Sequence, residues 1–294
     1  MNDRFQALQL FVRVAHMGSF SAAARELGVS QPSASRTVAA LERELGAALL
    51  VRTTRAVTLT EAGRDYLARI EPILAALDEA DQAARGDGDL RGLLRIGVGS
   101  SFAVREVAPR LGAFLAPHRH LKIHLAVSDA RQDLLAEGVD VALRLGDLPS
   151  STLIARRLGE APRLVVAAPT YLAKAPPLTA PGDLAAHAVI LGPGGAGALT
   201  FERAGARASV RIDGPLSTGA NEAAVAAAVA GLGLTVTSLW GCRAELERGQ
   251  LVRVLADWSA GVVVAHAVFP ATTVPKPSAR AFADYLARAL RAVG

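Results

Sequence analysis

The chain has 294 residues, of which 51% are hydrophobic and 4% aromatic, and it carries a formal net charge of +5. This length is typical of two or more domains, and the apolar fraction is enough to bury sizeable cores. The N-terminus lacks a basic segment followed by an apolar one, and no apolar run reaches membrane-spanning length, so we expect a soluble cytoplasmic protein with no membrane partner. The single cysteine, Cys242, cannot form an internal disulfide, which fits a reducing compartment.

The positive charge is spread along the chain. Residues 1–58 hold seven arginines against four acids, residues 59–89 three against eight, and residues 90–294 hold 22 lysines and arginines against 15 acids. Net charge therefore does not locate a nucleic-acid-binding part, and the placement of individual arginines is more informative.

Two regions open the chain as predicted helices. Residues 4–16 have apolar side chains at helical spacing, which predicts a scaffold helix. Residues 19–46 predict two short helices joined by a tight turn. We place Ser21 as the cap of the first, Gly28 at its end and Ser30 as the cap of the second. An inward stripe follows in the second helix: Val38, Leu41 and Leu45.

The outward face of that second helix begins with hydrogen-bonding side chains and a guanidinium. This layout is that of a helix-turn-helix, whose second helix meets base edges in the DNA major groove. Glutamine can pair with adenine and arginine with guanine, while serines suit phosphates or bases. The predicted DNA-binding surface, with the cap included, is Ser21, Gln31, Pro32, Ser33, Ser35 and Arg36. A helical hairpin with a solvated polar face is the alternative.

Residues 49–60 alternate β-branched and polar side chains around a short turn, which predicts a two-stranded wing whose arginines contact the DNA backbone. Residues 61–85 predict one long helix opened by Thr60. Its leucines and isoleucine alternate by three and four, like a short coiled-coil seam that needs a second copy. Pro72 is expected to kink this helix at a cost of about 3 kcal/mol. Residues 86–89 read as a hinge.

From residue 91, strands alternate with helices, which predicts a mostly parallel sheet covered on both faces. In the helix at 101–115, we expect Val104, Ala108, Leu111 and Leu115 to point inward. Ligands bind beyond the carboxyl ends of such strands. The candidates there are Ser100, Ser101, Ser128, Arg144, Gly192, Pro193 and Asn221. Two serines at a helix start would suit a carboxylate, although serine also simply caps helices. Arg144 could instead pair with Asp140 or Asp147.

Several segments resemble one protein family. "LQLFVRVAHMGSFSAAARELGVSQPSASRTVAALERELGAALLVRT" and "LTEAGRDYL" are similar to the winged helix-turn-helix of LysR-type transcriptional regulators. "LRIGVGSSFA", "GVDVALRLGDLPSSTLIARRLGEAPRLVVAAPTYL", "AAVAAAVAGLGL" and "ELERGQLVRVLADW" resemble their effector domain, which is related to type 2 periplasmic binding proteins.

The resemblance implies an all-α winged helix-turn-helix domain (1–60), a linker helix with hinge (61–90) and a two-lobed α/β effector domain (91–294). The lobes would comprise 91–167 with 267–294, and 168–266, with crossings near Ala167–Pro169 and Ala265–Val268. By position, Arg52, Thr53 and Arg55 would be the wing's DNA contacts, and Ser100, Ser101 and Ser128 would bind the effector.

The function implied is a transcription regulator, not an enzyme, whose operator binding is modulated by a small-molecule effector such as an organic acid. Effector binding is expected to close the cleft. The resemblance further implies a homodimer or homotetramer, and RNA polymerase as a further partner of the DNA-bound protein. The alternatives are a cytoplasmic solute-binding or enzymatic α/β protein with an N-terminal dimerisation module, and an architectural DNA protein without an effector.

Other signals carry little weight. His118, His120 and His124 have no acidic or cysteine neighbour to complete a metal site. The pair Gly97 and Gly99 lacks the third glycine of a dinucleotide fingerprint, and residues 192–197 lack the Lys-Ser/Thr of a phosphate loop. We expect no metal and no cofactor.

Overall fold

The computed structural model describes residues 2–52, 57–85, 89–129, 138–148, 154–270 and 275–291. The N-terminal part contains the helices α1 (Asn2–Met17), α2 (Phe20–Glu26) and α3 (Gln31–Leu45), the antiparallel strands β1 (Leu50–Arg52) and β2 (Val57–Leu59), and the long helix α4 (Glu61–Arg85). This order confirms the predicted winged helix-turn-helix and linker helix. The turn of the wing at 53–56 and most of the predicted hinge, 86–88, lie outside the described residues.

The first helix of the pair begins earlier than predicted, so the assignment of Ser21 as its cap is wrong. Ser19 is the cap, and its hydroxyl accepts a hydrogen bond from the Ala22 N–H at 3.3 Å. Gly18 turns the chain with φ +58°, and Phe20 is then buried as the first helical residue. Ser21 consequently lies within α2, exposed to solvent.

The second helix has the predicted ends. The Ser30 hydroxyl accepts a hydrogen bond from the Ser33 N–H at 3.3 Å, and Gly46 ends the helix at φ +66°. Gly28, between the helices, has φ +68°, a backbone region in which side chains with a Cβ are strained. Glycine at this position therefore permits the tight turn between the two helices.

One apolar core joins the N-terminal helices. Its fully buried members include Phe11, Val14 and Val38, and Leu41 is also buried as predicted, while Leu45 packs at the core's margin. The linker helix α4 is attached to this core because Tyr66 packs against Phe11, with ring centroids 5.6 Å apart. The helix continues through Pro72 to its end at Arg85.

Two side chains fix the wing against the helices. The Glu42 carboxylate of α3 accepts the N–H groups of Leu49 at 2.8 Å and Leu50 at 3.0 Å. The Thr60 hydroxyl donates to the Ala48 carbonyl at 2.7 Å and accepts the Gly63 N–H at 2.8 Å, so it caps α4 as predicted. The start of β1 is therefore held by α3, and the residue that follows β2 is held at the start of α4.

The second part of the chain is a mixed α/β structure. Its elements in order are β3 (Arg91–Val98), α5 (Ser100–Phe102), a π-helical segment (Ala103–Val107), α6 (Ala108–Leu115), β4 (His120–Val127), β5 (Val141–Leu145), β6 (Ile154–Ala167), α7 (Pro169–Leu172), a 3-10 turn (Pro181–Ala186), β7 (Val189–Leu191), β8 (Gly197–Arg203), β9 (Ala206–Ile212), β10 (Leu216–Ser217), α8 (Asn221–Val229), β11 (Leu234–Ser238), α9 (Leu239–Glu247), β12 (Val252–Val254), β13 (Val262–Phe269) and α10 (Pro277–Arg291). The helix predicted up to Glu137 falls outside the described residues.

The main sheet has the strand order β10-β7-β11-β6-β13-β5-β3-β4, with β12 pairing with β6 beside this path. The pairs of β3 with β4 and β5, and of β7 with β10 and β11, are parallel, whereas every described pair of β6 or β13 is antiparallel. The sheet is therefore mixed rather than mostly parallel. Strands β8 and β9 form a separate hairpin.

Two lobes share the long strand β6. Its residues 154–162 pair with β13 in the first lobe, and its residues 163–167 pair with β11 in the second. The change of partner falls at Pro162–Arg163, before the crossing predicted at Ala167–Pro169, and β13 already belongs to the first lobe at Val262. The sequence missed these positions because the first half of β6 is largely exposed and lacks an apolar pattern.

The predicted inward face of the helix at 101–115 is wrong at two positions. Val104 is 64% exposed and Ala108 is exposed, whereas Ala103, Val107 and Phe114 face the core of the first lobe. Five residues here form a π-helical segment, which widens the turn and shifts the phase of the residues that follow. Within the described ranges, no helix is both long and apolar enough to span a membrane.

Candidate DNA-binding surface and ligand cleft

The first turns of α3 present the predicted polar side chains on one face. Gln31, Pro32 and Arg36 are exposed, and Ser33 and Ser35 are half-buried. Within the described part of the chain, the Gln31 and Arg36 side chains have no hydrogen bond or ion pair, so both are available to a partner. The opposite face of the helix is anchored in the core, which holds this surface in a fixed orientation.

The remaining predicted DNA contacts are only partly described. Arg52 is the last residue of β1 and pairs with Val57, but its side chain is outside the described atoms. Thr53 and Arg55 lie outside the described residues. The wing contacts therefore stay predictions, whereas the hairpin that would carry them is present.

A poorly solvated ion cluster joins the helix pair to the second part of the chain. The Glu26 carboxylate, at the end of α2, accepts a hydrogen bond from the Arg95 guanidinium of β3 and pairs with Arg13 of α1 at 3.2 Å. The three side chains are 10–15% exposed. The Arg95 N–H donates to Asp140 at 2.8 Å, so the cluster is fixed to the sheet. Because β3 leads directly to Ser100 and Ser101, this contact lies on the strand that ends at the cleft.

A cleft of about 450 Å³ lies between the lobes. This volume is in the range of small-molecule sites. Of the predicted effector residues, Ser101, Gly192, Pro193 and Asn221 line it. Ser100, Ser128 and Arg144 are not among the lining residues.

Ser100 is engaged within the protein. Its N–H donates to Asp129 Oδ1 at 2.8 Å and its hydroxyl to Asp129 Oδ2 at 2.6 Å. Both donors expected to hold a ligand carboxylate thus already hold a carboxylate of the chain. Ser128 and Arg144 also make contacts within the protein.

Asn221 bridges the lobes. Its amide nitrogen donates to Ser101 Oγ at 3.1 Å and to the Gly241 carbonyl at 3.3 Å, and its amide oxygen accepts the Thr237 hydroxyl at 2.5 Å. These bonds use the amide's oxygen and both of its N–H groups. Asn221 therefore shapes the cleft and holds Ser101 of the first lobe against the second.

Arg105 forms a second bridge beside the first. Its guanidinium, in the first lobe, donates to both carboxylate oxygens of Glu222 at 2.6 and 2.8 Å and to those of Glu245 at 2.8 and 2.9 Å. Hydrogen bonding to Glu222 raises the pKa of Arg105 above its usual value and lowers the pKa of Glu222. The bridge therefore stays ionised over the ordinary pH range, and it ties the first lobe to the second.

Arg163 is a cleft residue that the sequence analysis missed. It lies at the point where β6 changes partners, and its half-buried side chain lines the cleft. The only signal in the sequence is an arginine directly before the buried run Leu164–Ala168. The change of lobes at this position is visible only in the tertiary structure.

The discounted signals have structural explanations. His118 Nδ1 accepts the Leu90 N–H at 3.2 Å, and His120 and His124 are exposed on β4. Cys242 is fully buried, and desolvation raises the pKa of its thiol to about 12. A neutral, buried thiol is a poor redox sensor because the thiolate is the reactive form.

The exposed polar turn of a winged helix-turn-helix, together with a cleft in a two-lobed α/β domain, defines a DNA-binding protein with a ligand-binding domain. Residues 5–64 match "Bacterial regulatory helix-turn-helix protein, lysR family", and residues 87–291 match "LysR substrate binding domain". The chain belongs to the LysR family of transcriptional regulators.

Relatives along nearly the whole chain support this assignment. The uncharacterised HTH-type transcriptional regulator YhjC of Escherichia coli K12 is 34% identical over 273 residues, which cover 91% of each chain. The LysR-type regulator CrgA of Neisseria meningitidis has a similar structure, with a TM-score of 0.61 and 29% identity over 96% of this chain and 97% of that one. The Vibrio cholerae virulence activator AphB gives a TM-score of 0.58 and 28% identity at the same coverage.

Proposed function

We propose that this LysR-type regulator reads its operator through the first turns of α3, and that a small organic effector in the lobe cleft changes this binding. The main support for this proposal is the position of Gln31 and Arg36. Both are exposed near the start of a helix whose other face is buried, and neither has a partner within the described part of the chain. Their chemistry suits adenine and guanine edges in the major groove.

The division of labour follows the chain. Residues 1–60 bind DNA, residues 61–90 dimerise and connect, and residues 91–294 bind the effector. Two apolar side chains of α4 support a dimer, since Ile73 is 58% and Leu77 43% exposed. Packing against α4 of a second copy would remove this apolar surface from water. Two recognition helices would then read half-sites about one DNA turn apart. A homodimer, or a homotetramer built from two, is the working form.

The effector can act only through different affinities for two arrangements of the protein. The cluster of Glu26, Arg13 and Arg95 supports such a link because it joins the helix pair to the strand that ends at the cleft. RNA polymerase is the partner expected when the regulator sits at a promoter. We place the protein in the cytoplasm because it must reach DNA there.

A binding titration tests the DNA-binding part of this proposal. Fluorescence anisotropy would follow wild type, Arg36→Ala and the control Arg43→Ala on DNA from upstream of the protein's own gene, at two salt concentrations with competitor DNA. Arg43 is exposed in the last turn of α3, away from the first turns. Losing a guanine contact should cost about 1 to 3 kcal/mol and reduce discrimination against competitor, whereas the control should retain it. The proposal would be refuted if the protein bound all DNA equally and if Arg36→Ala left that binding unchanged.

A further inference from the structure

The cleft contains one unbalanced charge. Among its described lining residues, Arg163 is the only charged one. Its backbone N–H donates to the Gly261 carbonyl at 2.8 Å, but its guanidinium has no ion pair or hydrogen bond with any described residue. Elsewhere in the same domain the half-buried arginine Arg105 holds two carboxylates. Arg163 thus stands out as a cation directed at space that a ligand could fill.

The physical chemistry of arginine points to the group that fits there. A partly buried guanidinium has lost part of its water and regains its full set of interactions when a planar anion binds it through two N–H groups. A carboxylate matches that fork. Half-burial keeps the charge accessible from the cleft while lowering the screening that weakens fully exposed ion pairs.

The rest of the wall limits the remainder of the ligand. Leu145 and Val263 from the first lobe, and Leu191, Leu199 and Val236 from the second, present apolar side chains to the cleft. The polar lining residues Ser101, Thr237 and Ser238 also make hydrogen bonds within the protein, as does the amide of Asn221. A ligand with one anionic group and an apolar body is therefore matched, and a second anionic group would find no further cation among the described lining residues.

The end of the cleft near Ser101 is unfavourable for an anion. Asp129 holds Ser100, and Glu222 accepts a hydrogen bond from Ser101. Two carboxylates of the chain thus lie behind these serines, and a third would be repelled. This charge distribution moves the anion-binding position from the serines, where the sequence placed it, to Arg163.

We propose that the effector is a small monocarboxylate with an apolar body, and that Arg163 binds its carboxylate and selects for it. The inference rests on the proposed function, since it names the ligand class of the same cleft. It also assigns a specificity residue that differs from the serines expected from the family resemblance.

Isothermal titration calorimetry on the full-length protein would compare acids with their amides of the same shape. The probes are hexanoate with hexanamide and phenylacetate with phenylacetamide, with adipate as a dicarboxylate. The variants are Arg163→Gln, Arg163→Lys and the control Arg157→Gln, an exposed arginine on the same strand that lies outside the cleft. Thermal unfolding of each variant checks folding, and Arg163→Gln should keep its Tm because Arg163 has no described partner to lose.

We expect the monocarboxylates to bind more tightly than their amides and than adipate. Loss of a charge-assisted contact should weaken acid binding by Arg163→Gln about 10- to 100-fold, with little effect on the amides. Arg163→Lys should retain part of the preference, and Arg157→Gln should behave as wild type. Equal binding of acids and amides, binding of neither at millimolar concentration, or acid binding indifferent to Arg163→Gln would each overturn the inference.

The two proposals fail separately. This experiment contains no DNA, so a protein that prefers monocarboxylates but does not bind its operator specifically would refute only the proposed function. A protein that binds its operator through Arg36 but shows no acid preference would refute only the assignment of Arg163.

Discussion

The ion pair between Glu26 and Arg95 joins the helix pair to the effector domain, and we expect it to contribute measurably to the free energy of unfolding. Glu26→Gln removes the carboxylate that pairs with the guanidinium groups of both Arg13 and Arg95, leaving two poorly solvated guanidinium groups together. Breaking a buried pair in this way typically costs about 3 to 5 kcal/mol. Because the three side chains keep 10–15% exposure, which lets water reach them, we expect about 3 kcal/mol, the lower end of that range.

A double-mutant cycle isolates the contact. Urea unfolding of wild type, Glu26→Gln, Arg95→Gln and the double variant should give a coupling energy of about 1.5 to 3 kcal/mol. The matched control is the pair Arg4–Glu44, an Arg–Glu contact within the N-terminal domain whose side chains are both 53% exposed. Its cycle should give less than about 1 kcal/mol because exposed pairs contribute little. Additivity at Glu26 and Arg95 within about 0.5 kcal/mol would refute the reasoning, and with it the link between the two parts of the chain.

Two further predictions concern stability. A Cβ on Gly63 would lie 2.0 Å from the Leu49 carbonyl oxygen, so Gly63→Ala should destabilise the protein by about 1 to 3 kcal/mol and weaken operator binding by moving the wing. The control is Gly112→Ala, in a helix with open space around that position, which should stabilise the protein by about 0.5 to 1 kcal/mol. A gain of stability in both variants on urea unfolding would contradict the clash at Gly63. Burial raises the pKa of Glu106 against the opposing effect of Arg110, so its contribution to the free energy of unfolding is present in acid and is lost as pH rises through the raised pKa. Glu106→Gln should therefore flatten the pH dependence of stability above the usual carboxyl range and be at least as stable as wild type at neutral pH. An unchanged slope would contradict the raised pKa of Glu106.

The helix-turn-helix could be predicted because its signals are local. The cap at Ser30 and the left-handed turn at Gly28 depend on neighbouring residues and backbone chemistry, and both are confirmed. The assignment of Ser21 as the helix cap was wrong because Ser19 has the same chemistry. The choice between the two serines depends on the turn at Gly18 and the burial of Phe20.

The effector domain was harder because its decisive features are not local. The prediction that Val104 faces the core was wrong because a π-helical segment breaks the 3.6-residue period on which the prediction relied. Ser101 and Asn221 were placed at the cleft from strand ends, a rule of topology. Arg163 was missed because its position depends on a strand that serves both lobes, which residue spacing does not reveal.

The two lobe bridges, at Asn221 and Arg105, have a consequence for how a signal begins. Together they tie the first lobe to the second through side chains of the chain itself, so a change in the angle between the lobes would have to break or shift these bonds. If these bonds persist when the effector binds, binding carries little free-energy cost of reorganisation, and association should follow a single concentration-dependent step. A response to an effector would then begin as a small displacement of the strand ends of the first lobe, and β3 would carry it from the cleft back to Arg95 and the helix pair.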